Sequence, residues 1–341
     1  MAPKVSVIVP VYKVPLDYLR ECFDSLLAQT MQDCEFIVVS DGAPDAECSV
    51  CEEYATKDPR FNFFRREHAG VSATRNFGIS QAQGKFLSFV DSDDWISEDI
   101  LSIAYKTTEE KKCDIVFWNC VLSYPQHSHA HVIKFDIQNE KVLSPQIILD
   151  IKENLFFTRN EKYSLFIFPV CKLYRSDLIK NVLFKENLQI GEDRIFNLQV
   201  IKEELKIVYL NQDAYFYRQN ENSATKRYRK NAFDVLYQYI IQMEIIANGK
   251  YTSEICNEIL CKFDESLGTD YFHKNNPYSF CHNITRIKKT FFSKEFQEQI
   301  KKCNLNKLDS FFRISHYFIS HRIFLWIYIR FFMKKIFQLL K

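Results

Sequence analysis

The feature that most constrains this 341-residue chain is a strand-forming run that ends in acid. Lys85-Phe86-Leu87-Ser88-Phe89-Val90 leads directly into Asp91-Ser92-Asp93-Asp94-Trp95, three carboxylates within four residues. A buried strand favours Phe, Leu and Val; a hydrophobic core has no use for Asp91, Asp93 and Asp94 at its end. In alternating α/β proteins, ligands bind outside the carboxyl ends of parallel strands. Side chains two residues apart on an extended backbone point the same way. Asp91 and Asp93 so placed are hard oxygen donors suited to Mg²⁺ or Mn²⁺, which bind through one or two carboxylates plus substrate phosphates. The bland alternative is an acidic turn that opens the next helix, with Asp94 or Ser97 as its N-cap.

The upstream sequence supports the first reading. Lys4 to Tyr12 is a β-branched run, too short to span a membrane, and reads as a central strand ended by Pro10. Pro15 opens a helix with Leu19, Phe23, Leu26 and Leu27 at helical spacing. Glu35 to Val39 is a second buried strand, closing on Ser40 to Asp45, with Asp45 placed to cap the following helix. Phe61 to Phe64 is a third strand, Gly70 to Gln83 a helix that carries Arg75 and Asn76, and Phe86 to Val90 the fourth strand. Strands and helices alternating at this pitch predict βαβ units and a mostly parallel sheet. The ends of the first, second and fourth strands are then expected on one edge, where a nucleotide could lie. No G-x-G-x-x-G follows the first strand and no G-x-x-x-x-G-K-[ST] occurs, so the glycine-loop phosphate cradles are absent. A metal on Asp91 and Asp93, with Arg75 nearby, would neutralise phosphates instead.

Composition narrows the class. The 45 basic and 43 acidic residues nearly cancel, so nothing pulls the chain as a whole toward nucleic acid. The 11 cysteines are scattered, mostly in apolar runs, and read as reduced thiols of a cytoplasmic protein. Cys48-Ser-Val-Cys51 has no second Cys/His pair at zinc spacing. Without a secretory segment ahead of it, Asn283-Ile-Thr285 is a glycosylation sequon on paper alone.

The motifs V-S-V-I-V-P-V-Y, V-V-S-D-G-A-P-D, G-V-S-A-T-R-N and F-V-D-S-D-D-W, in that order, resemble the amino-terminal half of a family 2 glycosyltransferase. The resemblance is dense over about the first 100 residues and resumes over Leu183 to Thr225. It implies the GT-A fold, a Rossmann-like α/β domain that binds a nucleotide-sugar and carries a metal-binding D-x-D. Carried over by position, Pro10 and Tyr12 would border the base and Asp41 would hydrogen-bond a uracil-type edge. Arg75 would approach the nucleotide, Asp91 the ribose or metal, and Asp93 the metal. Ser40 stands where the family usually has a second Asp, and Ala43 replaces a common Ser.

Cys113 to Val121 reads as a further strand, followed by a polar loop in which His127, His129 and His131 alternate. Ser144 is placed to cap a helix running toward Phe157, and Phe166 to Tyr174 reads as strand with Lys172 and Arg175 at its end. Gly191-Glu192-Asp193-Arg194 precedes a helix with Ile195, Phe196, Leu198 and Val200 inward. Acidic residues favour a helix start on dipole grounds alone. An inverting glycosyl transfer also needs a carboxylate to take the acceptor hydroxyl's proton. The resemblance places that base here: Asp193 first, Glu192 second. No histidine is read beside these motifs. Ile207 to Tyr217 is strand-like and ends in Tyr215-x-Tyr217-Arg218, which resembles the family's Y-x-Y-R. A loop bearing Arg218, Lys226 and Arg227 would either close over the diphosphate or be an ordinary basic loop.

The expected organisation is a glycosyltransferase domain over 1–228 (nucleotide-binding half 1–110, acceptor half 111–228) and a helical region over 229–341. Residues 311–341 contain no acid, and Arg330, Lys334, Gln338 and Lys341 share one helical face among aromatics. Such a helix lies in an anionic membrane interface or packs on its own core or a second subunit. The function expected is inverting, Mn²⁺- or Mg²⁺-dependent hexosyl transfer from a nucleotide-sugar donor, UDP-type favoured. The acceptor would be a saccharide or lipid-linked saccharide, on the inner face of a bacterial membrane, in surface polysaccharide synthesis. The alternatives are a nucleotidyltransferase, which would release pyrophosphate, and a catalytically silent nucleotide-sugar-binding scaffold.

Overall fold

The β-branched run near the start of the chain forms β1 (Val5–Val11), buried throughout except for the partly exposed Pro10. The computed structural model describes residues 2–124, 131–158, 160–219 and 228–339, with backbone alone over 333–339. In it, β2 (Cys34–Asp41), β3 (Phe61–Arg66) and β4 (Phe86–Phe89) complete a parallel array in the order β3-β2-β1-β4. Val11 pairs with Ser40 and Ile8 with Phe89. Tyr12, Asp41 and Asp91 therefore leave the sheet at one edge, as expected.

The helices that join these strands are α1 (Leu16–Leu27), α2 (Asp45–Lys57) and α3 (Val71–Gln81). α1 buries Leu19, Cys22, Phe23 and Leu26, and the Phe23 ring meets Tyr54 and Phe61 with centroids 5.1 and 5.6 Å apart. Burying a Phe of this kind stabilises the fold by roughly 1.5–3 kcal/mol. The expected cap at Asp45 is not formed. Pro44 is the N-cap, and Asp45 is the first helical residue, its carboxylate paired with Arg65. In the first turn it still meets the positive end of the helix dipole.

β5 (Trp95–Ile96), α4 (Ile100–Lys111), β6 (Ile115–Ser123), β7 (His131–Ile133), β8 (Lys141–Val142) and α5 (Pro145–Phe156) follow. Asp99 is the N-cap of α4, so neither Asp94 nor Ser97 caps it. Ser144 does cap α5, accepting from the Ile147 amide. β9 (Lys172–Arg175), α6 (Ser176–Ile179), α7 (Glu192–Val200) and β10 (Ile207–Arg218) complete the sheet, in the order β3-β2-β1-β4-β9-β6-β10-β5 with β7 on β6 and β8 on β10. The strand direction reverses at β9, which is antiparallel to both β4 and β6. The strand expected over 166–174 is shorter: Phe166 ends a 3₁₀ helix (Glu161–Phe166), residues 167–171 turn, and only Lys172–Arg175 is extended. A short apolar run does not distinguish the two by pattern. Asn160 settles it locally, its side chain accepting from the Lys162 amide and starting the helix.

The amino-terminal unit (residues 1–220) and the carboxy-terminal unit (221–341) are each compact. The latter is helical: α8 (Ala232–Ala247), α9 (Thr252–Ser266), α10 (Phe280–Phe291), α11 (Lys294–Ile300), α12 (Ser310–Ser320) and α13 (Leu325–Leu339). Asp270, fully buried, pairs with Arg286 at 2.6 Å. The start of α13 packs on its own unit, with Trp326 and Ile327 buried. Arg330, expected on a free basic face, instead holds Asp264 in a two-pronged pair at 2.8 and 2.6 Å. The side chains of Lys334, Lys335 and Gln338, and Lys341 entirely, lie outside the described residues. Ile314, Tyr317, Leu325 and Phe332 are exposed. Among the described residues no helix is long and apolar enough to cross a membrane. Cys48 and Cys51 are buried free thiols, and Asn283 of the sequon is buried with its amide on the Tyr278 carbonyl.

Candidate active site

β4 ends in a tight acidic loop in which the Asp94 amide donates back to the Asp91 carbonyl at 3.0 Å. The three carboxylates have different environments. Asp91 is partly exposed, with a third of its side chain (32%) open. Asp93 is partly buried, and burial together with the charge of Asp91 pushes its carboxyl up to about 6. Asp94 is fully buried. Its Oδ2 accepts from the Tyr215 hydroxyl at 2.6 Å and its Oδ1 from the Arg218 amide at 2.9 Å, while desolvation holds it well above the usual carboxylate range. The Tyr215 hydroxyl also accepts from the Asp91 amide at 3.2 Å. The end of β10 therefore fixes the acidic loop through residues more than 120 positions away.

Asp193 and Glu192 open α7 behind Gly191, whose φ of +80° is a left-handed conformation that glycine adopts freely. Between Asp193 and the β4 loop lies Arg75, on α3 and almost fully buried. It donates to Asp193 Oδ1 at 2.7 Å and to Asp91 Oδ1 at 2.8 Å, and stands 3.9 Å from Glu192. The Arg75 Nε is buried without a partner. Arg75, expected at the nucleotide, thus joins the two carboxylate clusters. Burial pushes the Asp193 carboxyl up to about 7, Glu192 and Asp91 adding to the rise and Arg75 and Lys172 opposing it. A carboxyl held there is matched to taking a proton at neutral pH.

At the far side of the same sheet edge, Asp41 is buried, and its oxygens accept from the amides of Ala69 (2.7 Å) and Gly70 (3.1 Å to each). His68 Nδ1 lies 2.9 Å from Asp41 Oδ2, and the His68 ring stacks on Tyr12 with centroids 4.3 Å apart. The expectation that no histidine stands at these motifs fails here: His68 joins two of them. The turn works because Gly42 has φ +67° and a Cβ there would sit 2.8 Å from the His68 amide. Ser40 is buried and accepts from the Ala43 amide. Pro10, the partly exposed residue of β1, is at the same end.

Arg218 is engaged. Its Nε donates to the Asp93 carbonyl at 2.9 Å, it pairs with Glu21, and its guanidinium lies over the rings of Tyr18 and Trp95 at 4.0 and 4.6 Å. Lys226 and Arg227, and His127 and His129, lie outside the described residues; His131 pairs with Glu161. Asn76, beside Arg75, ties the Phe184 backbone and Glu186. Asp91 and Asp93 supply oxygen donors of the right kind for a hard cation. Among the described residues no cluster of three or more ligating side chains forms.

The fold is a mixed α/β sheet of the GT-A class, as the likeness to a solved structure below shows. The sequence model for glycosyl transferase family 2 matches residues 6–183. The glycosyltransferase GlyA of Streptococcus pneumoniae serotype 4 is 34% identical over 255 residues, 74% of this chain but 36% of GlyA. The uncharacterized glycosyltransferase EpsJ of Bacillus subtilis strain 168 is 32% identical over 253 residues, 74% of this chain and 71% of EpsJ. Among solved structures, S. aureus TarS 1–349 in complex with UDP-GlcNAc superposes with a TM-score of 0.63 at 19% identity, over 93% of this chain and 89% of that one. That likeness is one of fold. This chain belongs to glycosyl transferase family 2.

Proposed function

We propose that the chain transfers a sugar, with inversion, from a nucleoside diphosphate sugar to a hydroxyl of a saccharide or lipid-linked saccharide. The observation that carries this reading is the Arg75 bridge, which ties the carboxylate of the D-x-D to the carboxylate at the start of α7. The donor's diphosphate would lie at Asp91 and Asp93 and its base at Pro10, Tyr12 and Asp41. A UDP-type donor is favoured, in line with the UDP-GlcNAc complex of the TarS neighbour. When bound at Asp91 and Asp93, Mn²⁺ or Mg²⁺ supplies the positive charge that offsets the departing diphosphate.

Asp193, with Glu192 as the second candidate, accepts the acceptor hydroxyl's proton as that oxygen attacks the anomeric carbon. The bond to the diphosphate breaks on the opposite face, and the diphosphate leaves with the bonding electron pair. Arg75 holds the Asp193 carboxylate in position, and Arg218 fixes the acidic loop through its amide and Nε. The exposed Ile314, Tyr317, Leu325 and Phe332 and the exposed Arg313 and Arg322 are the residues we assign to the anionic inner face of the membrane, where lipid-linked acceptors of surface polysaccharide synthesis reside.

The test is a screen of nucleotide-sugars with Mn²⁺ or Mg²⁺, with and without chelator. Release of nucleoside diphosphate from one donor, lost with chelator and in Asp93→Ala, supports the assignment. Release of pyrophosphate from nucleoside triphosphates instead would sink it in favour of a nucleotidyltransferase.

A further inference from the structure

We propose that Phe168 and Tyr217 form the wall on which a pyranose ring of the acceptor lies. The inference deepens the transferase reading and rests on it. Phe168 is 43% exposed and stacks against Tyr217, with centroids 6.5 Å apart and planes 18° from parallel. A lone exposed Phe is ordinary on a protein surface; this one is set apart by what holds it.

Its carbonyl accepts from Lys172 Nζ at 2.7 Å and from Asn197 Nδ2 at 3.1 Å. Both of these side chains are fully buried. An ammonium buried that deeply is costly unless its protons are bonded. Lys172 meets the condition by binding the carbonyls of Leu165, Phe168 and Val170, so the turn under Phe168 is fixed from below. Asn197 also donates to the Asp193 carbonyl at 3.3 Å and accepts from the Tyr174 hydroxyl at 2.8 Å. One amide therefore sets the place of the exposed ring relative to the helix start that carries the base.

Tyr217 is tied to the other cluster. It lies two residues beyond Tyr215 on β10, hence on the same face, and Tyr215 is the residue bonded to Asp94 and to the Asp91 amide. The two rings thus link the base side of the site to the diphosphate side. A pyranose presents a face of C–H groups and an edge of hydroxyls. An aromatic wall takes the face and leaves an edge hydroxyl directed at Asp193, the positioning that transfer requires.

The experiment is an NMR titration of the full chain with three probes: methyl β-D-glucopyranoside, methyl β-D-galactopyranoside and the methyl glycoside of N-acetyl-β-D-glucosamine. The expected result is that at least one probe binds, with its ring C–H protons shifted upfield by the aromatic faces. Phe168→Ala and Phe168→Leu should weaken it about five- to tenfold, the loss of one aromatic contact, and Phe168→Trp should retain it. Phe168→Leu keeps apolar bulk without a ring face, so it decides the matter if Phe168→Ala lowers the unfolding midpoint. Absence of binding by all three probes, or unchanged binding in Phe168→Leu, overturns the proposal. Because the titration contains no donor, its failure is distinct from failure of the nucleotide-sugar screen, which would remove the transferase reading itself.

Discussion

Two buried aspartates of the carboxy-terminal unit and the carboxylates around Arg75 are neutralised in different ways. In the carboxy-terminal unit Arg286 closes on the fully buried Asp270, with Asn231 and Asn283 accepting further protons from it, and Arg330 closes on Asp264. In the amino-terminal unit a single guanidinium, that of Arg75, faces three carboxylates, Asp91, Asp193 and Glu192. Asp91 and Asp193 remain 32% and 22% exposed, and a second acid, Asp93, stands beside Asp91 with its proton affinity raised. A closed pair serves packing. A deficit of positive charge that opens to solvent is a place where a cation or a proton is expected to arrive.

The sharpest test of that contrast is Asp193→Asn, which keeps the shape and removes the proposed base. It should lower kcat by about 10²–10⁴-fold with the fold intact, the range for loss of a general base, as read from sugar transfer and circular dichroism. Next comes pH. With its carboxyl near 7, Asp193 is protonated in acid, so kcat should fall roughly tenfold for each pH unit below about 7 and level off above it. The sign for stability is opposite. A carboxyl pKa raised on folding means that between about 4 and 7 the folded state holds the proton and the unfolded state does not. This group therefore stabilises the fold as pH falls through that window. Acid inactivation should precede acid unfolding, which parallel activity and fluorescence profiles would check.

In the helical unit, Arg286→Met strands Asp270 without water and should cost about 3–5 kcal/mol by denaturant unfolding. Arg75→Met should cost less stability, because Asp91 and Asp193 can hydrate, while abolishing transfer. Equal losses of stability from the two variants would erase the distinction drawn here. The smallest effect is expected of Tyr215→Phe, which leaves the buried Asp94 one donor short and should cost about 1–3 kcal/mol.

The pattern along the chain is a good guide where one element speaks for itself. The three parallel strands that end at Tyr12, Asp41 and Asp91, and the helix opened by Glu192 and Asp193, follow from hydrophobic periodicity interrupted by acid. What escaped that reading depends on partners far apart in sequence. Arg75 and Asp193 are 118 positions apart, and nothing near either residue announces their bond. Asp94 reads as a helix cap until Tyr215 and Arg218 are seen to enclose it. His68 sits two residues before a recognisable motif, and its stack on Tyr12 exists only because β1 and the β3–α3 turn meet at one edge. The strand read over 166–174 shrinks to Lys172–Arg175 because the buried Lys172 captures the carbonyls of Leu165, Phe168 and Val170 before it, which no periodicity encodes.

The bonds from Tyr215 and Arg218 to Asp94 have a practical consequence for anyone trimming this chain. The family match ends at residue 183, yet a fragment cut there would strip Asp94 of the Tyr215 hydroxyl and Arg218 amide that bind it and would discard Asp193 as well. A piece that keeps these bonds must run through Arg218, since the last strand of the sheet also fastens the acidic loop after β4.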